Sequence, residues 1–289
     1  MHMARIPESE LILNPDGSIY HLNVLPEQIA DTIITVGDQD RVARVSRFFD
    51  SIETEVAKRE FVTHTGYYKG KRISVVSTGI GTDNIDIVLN ELDALVNIDF
   101  VSREPVDPED RISLKIVRIG TSGSLREDIP LGAHLATEYA LGLDTLMQFY
   151  PLMETGYETE IAVQVQQALG LGFLPYCAKG DDLLREQIGA DMVQGNTFTC
   201  PGFYAPQGRL LRLQPKIENV IQKLRDFRYE DVQFTNFEME TAGIYSLGRL
   251  LGHQVLSTNA IVANRVTHEF AAHPDKVVDD LIVKVLERI

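Results

Sequence analysis

The chain has 289 residues, 44% of them hydrophobic and 24% charged, a make-up that excludes a disordered or collagen-like protein and supports a full hydrophobic core. With 27 Lys and Arg against 42 Asp and Glu the formal charge is −15, so the bulk surface repels nucleic acid and anionic membranes, and any anionic ligand has to be caught by a local basic pocket. No apolar stretch approaches the roughly 20 residues that cross a bilayer, two cysteines are too few for a disulfide framework, and no secretory pattern opens the sequence; a cytoplasmic protein engaging neither nucleic acid nor membrane is expected.

Residues 1–18 precede the first regular pattern and are expected to form an extended N-terminal arm on a single domain, 1–289. Ser74-Val75-Val76-Ser77 then reads as a buried strand. After Gly79-Ile80-Gly81 the apolar residues Ile85, Val88, Leu89, Leu92, Leu95 and Val96 recur three or four apart, which predicts a helix packed on that sheet by one face. Ser102 to Arg111 carries two prolines and six charges and reads as an exposed excursion. Lys115 to Ile119 is a second strand, expected to end at Gly120-Thr121-Ser122-Gly123. Ile161, Val165, Ala168 and Leu169 mark a helix stopped near Gly170, and Ile217, Val220, Ile221 and Leu224 mark another. Val255 to Val262 is a third strand, and Val278 to Ile289 closes the chain as an amphipathic helix. Short β-branched runs ending in glycine turns and alternating with helices are the grammar of an α/β sheet.

Ligands of open α/β sheets sit beyond the carboxyl ends of the strands, where helix N-termini present free N–H groups. Here those ends carry arginine: Arg41 follows Val36-Gly37-Asp38-Gln39-Asp40, and Arg118 stands two residues before the Gly-Thr-Ser-Gly turn with Thr121. A guanidinium buried in Ile-Val-Arg-Ile needs an anionic partner, either a carboxylate of the fold or a bound phosphate. Glu238 and Glu240 lie in Asn236-Phe237-Glu238-Met239-Glu240 at a helix start, where acids are favoured by the macrodipole; Glu240 could instead face a sugar's hydroxyls. Phe203-Tyr204-Ala205-Pro206-Gln207-Gly208-Arg209 reads either as a solvated loop or as a ring face with an amide and a guanidinium that match a pyrimidine edge.

Familiar alternatives fail. Gly79-Ile80-Gly81 lacks the third glycine of a dinucleotide fingerprint, there is no ATP-binding loop and no nucleophile elbow. His268-Glu269 with His273 has a spacing of five, which turns the histidines apart on a helix, so a metal centre is not expected. Cys177 reads as a small core residue.

Seven segments in this order, VGDQDRV (36–42), KREF (58–61), STGIGTDNI (77–85), RIGTSGSL (118–125), GNTFTCPGFYAPQGR (195–209), NFEMETAG (236–243) and IVANRVT (261–267), resemble the nucleoside phosphorylase family over nearly the whole chain. The resemblance implies a three-layer α/β/α fold around a mixed, partly barrel-like sheet, assembled as a homodimer or as a homohexamer of dimers with shared active sites. It implies a phosphate site of Gly37, Arg41, Arg118 and Thr121, with Arg59 lent by the neighbouring subunit. Thr121, Met239, Glu240 and a neighbour's His21 would hold the ribose. Phe203, Gln207, Arg209, Arg265 and Tyr20 would meet the base. Arg118, Glu240 and Arg209 would carry the catalysis, with phosphate as co-substrate and no cofactor. A monovalent cation at the dimer interface near Glu60 fits some relatives.

The family's Gly-Asp-Pro is Gly37-Asp38-Gln39 here, and its Gly-Gly-Pro-Ser is Gly81-Thr82-Asp83-Asn84, so a φ-locking proline is lost and an acid is added near the anion site. Purine-specific relatives place an aspartate near Asn264-Arg265; its absence favours a pyrimidine nucleoside. The implied activity is phosphorolysis of such a nucleoside. The rival readings are a hydrolytic nucleosidase and a non-catalytic nucleoside or phosphate sensor.

Overall fold

A computed structural model describes residues 5–289; the start of the expected arm, residues 1–4, lies outside the described residues. From residue 5 to 18 the chain is a run of turns closed by a bridge between Leu13 and Ile19, and Leu11 is buried. It is therefore folded down on the body. The cause is Arg103, which lies in the otherwise exposed excursion yet is 8% exposed and donates to the carbonyls of Ile6, Pro7 and Leu11.

The first half of the chain builds an open sheet. β1 (Thr32–Val36) leads into α1 (Asp40–Ser46), and β2 (Ser51–Lys58), β3 (Phe61–Tyr68) and β4 (Lys71–Ser77) follow as an antiparallel meander before α2 (Thr82–Asn97). A two-stranded ribbon, β5 (Ile98–Asp99) and β6 (Glu104–Pro105), precedes β7 (Lys115–Ser124). The second half comprises β8 (His134–Gly142), α3 (Gly156–Leu169), β9 (Tyr176–Lys179), α4 (Asp182–Gly189), β10 (Val193–Thr199), α5 (Val220–Asp226), β11 (Phe234–Glu238), α6 (Thr241–Leu251), β12 (Gln254–Asn264), β13 (Glu269–Phe270) and α7 (Pro274–Leu286).

Strands β12, β8, β10, β11 and β7 pair in that order, and β7 pairs β12 in turn, so five strands close into a barrel. From β7 the sheet continues open through β1, β4, β3 and β2. Register shifts in β10 beside Gly195 and in β12 between Ile261 and Ala263 supply the bends that closure needs. Gly195 is required there, because a Cβ would overlap Thr235.

Alternation sends Ile33, Ile116 and Val255 to one face of the sheet and Ile34, Val117 and Leu256 to the other. The first set packs under α2 and α6, the second under α1, α4 and α7, which makes the three layers. A third cluster, with Phe198 and Phe234 3.7 Å apart between centroids, fills the barrel end under α3 and α5. No helix of the described residues is long and apolar enough to cross a membrane.

Two boundaries differ from the sequence pattern. β7 does not stop at Gly120 but runs on to Ser124, because β12 stays paired with it past the glycines, Thr121 with Ala260 and, beyond the bulge at Val262, Ser124 with Asn264. Tertiary pairing overrides turn-like composition here. The helix expected from Ile217 begins only at Val220, since Asn219 sits in the left-handed region at φ 53°. By contrast α3 starts and stops as its sequence dictates, with Thr155 and Glu158 forming a capping box and Gly170 closing it at φ 66°.

Candidate active site

The carboxyl ends of β1, β4, β7, β10, β11 and β12 surround one cavity of about 740 Å³. At one end are Gly37, Arg41, Arg118 and Thr121. Arg41 stands in the first turn of α1, where Nη1 donates to the Ile119 carbonyl at 3.3 Å and the buried Nε has no partner. Burial pulls its pKa below the usual arginine value, and the neighbouring Arg118 adds to that pull. A half-buried cation without a carboxylate partner carries a desolvation cost, which an anion in the cavity would relieve.

Arg118 differs. It is 5% exposed and lies over Gly120, where a Cβ would overlap the guanidinium. Nη2 meets Glu240 Oε2 at 2.5 Å and Glu238 Oε2 at 3.3 Å, and Nη1 donates to Asn259 Oδ1 at 3.1 Å. Burial pulls the Arg118 guanidinium down, but Glu238 and Glu240 outweigh it and hold the group above its ordinary value. Of the two sequence alternatives, the carboxylate partner within the fold is the one observed, and Arg118 also lines the cavity.

Glu238 takes the bland role that its position suggested: its Oε2 accepts the N–H groups of Glu240 and Thr241 at 2.9 and 2.8 Å, and its Oε1 accepts the Thr199 hydroxyl at 2.6 Å, so it caps α6. Glu240 is free of that duty. Its Oε1 accepts the Gly81 N–H at 2.9 Å, which ties it to the start of α2. Burial pushes its pKa up, opposed by Arg118 and reinforced by Glu238. Met239 lines the cavity between the two acids.

At the other end a short 3₁₀ turn, Ala205–Gln207, presents Phe203, Gln207 and Arg209. The Arg209 guanidinium lies 3.6 Å from the Phe203 centroid and donates through Nη1 to Gln207 Oε1 and the Phe203 carbonyl, each at 2.6 Å. One face of the phenyl ring is thus already covered by arginine. Burial and the nearby Arg265 lower the Arg209 pKa to about 10, so it remains cationic at neutral pH. Gln207 is 4% exposed and its Oε1 keeps a second lone pair.

The remaining expected site residues do not line this cavity. Arg265 is half-buried against Gly123, opens on an adjoining hollow with Val266 and His268, and has a buried Nη1 without a partner. Arg59 is exposed at the tip of the β2–β3 hairpin at φ 56°, its guanidinium carbon 6.0 Å from the Tyr20 ring centroid. Tyr20 and His21 form an edge-on pair at 4.7 Å on the same side, with Lys58 4.7 Å from the Tyr20 centroid. Of the departures from the family pattern, Gln39 lines the cavity, whereas Asp83 is exposed and does not.

Sequence reasoning missed Asn259, which is buried mid-strand where only its register opposite Gly120 reveals it, and Glu91, whose carboxylate grips the His21 turn. His268, at φ 62°, lies in a turn and His273 is the residue that precedes α7, so the two share no helix face. Cys177 and Cys200 are free and buried in the core, and burial raises both thiol pKa values well above the usual value.

A family model described as the phosphorylase superfamily matches residues 31–288. A uridine phosphorylase of Thermococcus kodakarensis is 30% identical over 264 residues, which cover 90% of this chain and 83% of the relative. A DeoD-type purine nucleoside phosphorylase of Vibrio cholerae is 24% identical over 245 residues, covering 82% of this chain and 83% of the relative. Among solved structures, a Trypanosoma brucei nucleoside phosphorylase reported to show uridine phosphorylase activity superposes with a TM-score of 0.89 at 30% identity, covering 97% of this chain and 100% of its own. With the barrel, the cavity at its strand ends and a family match over nearly its whole length, this chain belongs to the phosphorylase superfamily and has the nucleoside phosphorylase fold.

Proposed function

We propose that the protein is a uridine phosphorylase, which converts uridine and inorganic phosphate reversibly to uracil and α-ribose 1-phosphate. The observation that carries this is a single cavity lined by Arg41, a cation with no carboxylate partner and a buried Nε without any, with Arg118 and Thr121, by Glu240 and Met239, and by Gln207 and Arg209. Those are an anion seat, a carboxylate for paired hydroxyls, and a donor and acceptor set for a pyrimidine edge. A nucleosidase that uses water has no need of the anion seat, and a sensor has no need of all three.

In this reading a phosphate oxygen attacks C1′ from the face opposite the base, the C1′–N1 bond breaks, and its electron pair leaves with uracil. Positive charge develops on the ribose beside phosphate and Glu240, and negative charge on the base beside Arg209 and Gln207. Arg209 needs no proton transfer to act, since it stays charged. The uracil N3–H meets the second lone pair of Gln207 Oε1, and the carbonyls accept from the Gln207 amide and Arg209. At the position where purine-specific relatives carry an acid, Asn264 donates to the Arg126 carbonyl at 2.9 Å and accepts the N–H groups of Val266 and Thr267. This favours a pyrimidine.

The same reading makes the active site a shared one, in a homodimer or a hexamer of dimers: Arg59, Tyr20 and His21 gather on one partly exposed patch outside the cavity of their own chain and would complete a neighbour's. Glu60, exposed at the cavity mouth, is where an interface monovalent cation would sit, and no step of the reaction is routed through it. Two free buried thiols fit a reducing cytoplasm.

The test is incubation of the protein with uridine, with and without inorganic phosphate, followed by chromatography of the products. Uracil and ribose 1-phosphate are expected only when phosphate is present. Free ribose formed without phosphate would mean a hydrolase, and no turnover of uridine under either condition would mean a binding protein.

A further inference from the structure

Glu91 lies on α2 but does not line the cavity of its own chain, and its carboxylate is committed to one turn. Oε1 faces His21 Nδ1 at 2.7 Å and the His21 N–H at 3.0 Å, while Oε2 accepts the Leu22 N–H at 2.8 Å and shares that of His21 at 3.1 Å. The Glu91 side chain is 12% exposed and the imidazole 25%. From the other side Lys58 donates to the Tyr20 carbonyl at 2.6 Å and to Asn14 Oδ1 at 2.9 Å, and the Phe61 ring stands edge-on to the imidazole with the two centroids 6.1 Å apart. The turn is therefore held by its backbone at Tyr20, His21 and Leu22, and the ring is held as well.

Holding the turn requires only the backbone bonds. The ring contact adds a chemical consequence: an Nδ1–H donated to a carboxylate leaves the neutral imidazole with its lone pair on Nε2, and no protein group among the described residues takes that lone pair. The result is an oriented acceptor on a partly exposed aromatic patch that serves nothing in its own chain.

We propose that Glu91 is a positioning residue, which fixes His21 in one tautomer and orientation so that Nε2 accepts the 5′-hydroxyl of a nucleoside bound in the neighbouring subunit's cavity. This rests on the phosphorolysis reading and on a shared site. It goes beyond both by assigning the discrimination of the 5′-hydroxyl to a carboxylate that touches no substrate.

The experiment measures kcat and KM for uridine and for 5′-deoxyuridine, at saturating phosphate, in the wild-type oligomer and in Glu91→Gln. Glutamine keeps the size and a carbonyl for the backbone N–H groups, but turns its amide NH2 toward Nδ1 and so moves the ring proton to Nε2. KM for uridine is expected to rise roughly tenfold with kcat nearly unchanged, while KM for 5′-deoxyuridine stays within about twofold. His21→Ala should share this selectivity, and the double variant should be no worse than His21→Ala alone. An equal rise for both nucleosides, additive effects, or unchanged kinetics would each overturn the proposal. Should Glu91→Gln not fold, Glu91→Asp, which keeps the charge but withdraws it by one methylene, carries the same expectation. Wild-type turnover of uridine is the control, and its absence would sink the phosphorolysis reading and this proposal with it.

Discussion

Arg118→Ala is expected to abolish measurable use of phosphate and to weaken the fold at the same time. Its guanidinium is the group that faces both Glu238 and Glu240 in a buried site, so its removal leaves two carboxylates uncompensated. Breaking a buried pair by deleting one partner costs about 3–5 kcal/mol of stability. Loss of the charged donor from the reacting centre should lower kcat/KM for phosphate by roughly a thousandfold or more. Denaturant unfolding and phosphate-dependent kinetics read the two effects separately. A stable variant with unchanged phosphate dependence would remove Arg118 from the anion site.

Arg209→Ala should behave differently, with a large kinetic loss and little loss of stability. The side chain is partly exposed, has no carboxylate partner, and rests on the Phe203 ring. As the donor to the departing uracil anion it is expected to contribute roughly 3–4 kcal/mol to the activation free energy, by comparison with single oxyanion donors, and so a fall of about a hundredfold to a thousandfold in kcat. Lysine is a poor substitute, because it cannot lie flat on the ring and offers no planar fork toward Gln207. Steady-state kinetics with uridine check this, and a near-normal kcat would exclude Arg209 from the mechanism.

The contrast between these two arginines also explains why only part of the site was legible in the sequence. Arg41, Arg118, Gln207 and Arg209 stand out as chemistry at strand ends, and the cavity does gather them. That Arg118 already has two carboxylate partners could not be read, since Glu240 lies 122 residues away and approaches only when β11 and β7 join the same barrel. Helices with clean apolar periods or caps, such as α2 and α3, announce themselves because their determinants are local. The extension of β7 through two glycines and the closure of the barrel depend on pairing with β12, more than 130 positions on, and leave no local trace. Glu91 was hidden for a different reason: on an amphipathic helix an acid off the apolar stripe reads as a solvated side chain, and only the fold brings the His21 turn to it.

Arg41, a cation at the cavity with no carboxylate partner, is the residue on which the proposed function turns. The most direct measurement is a crystal structure of the protein grown with inorganic phosphate and uracil. The account predicts phosphate within hydrogen-bonding distance of Arg41, Arg118 and Thr121, with the partner subunit's Arg59 closing the fourth side. A cavity in which Arg41 turns to a carboxylate of the protein, with no anion bound beside Thr121, would contradict it.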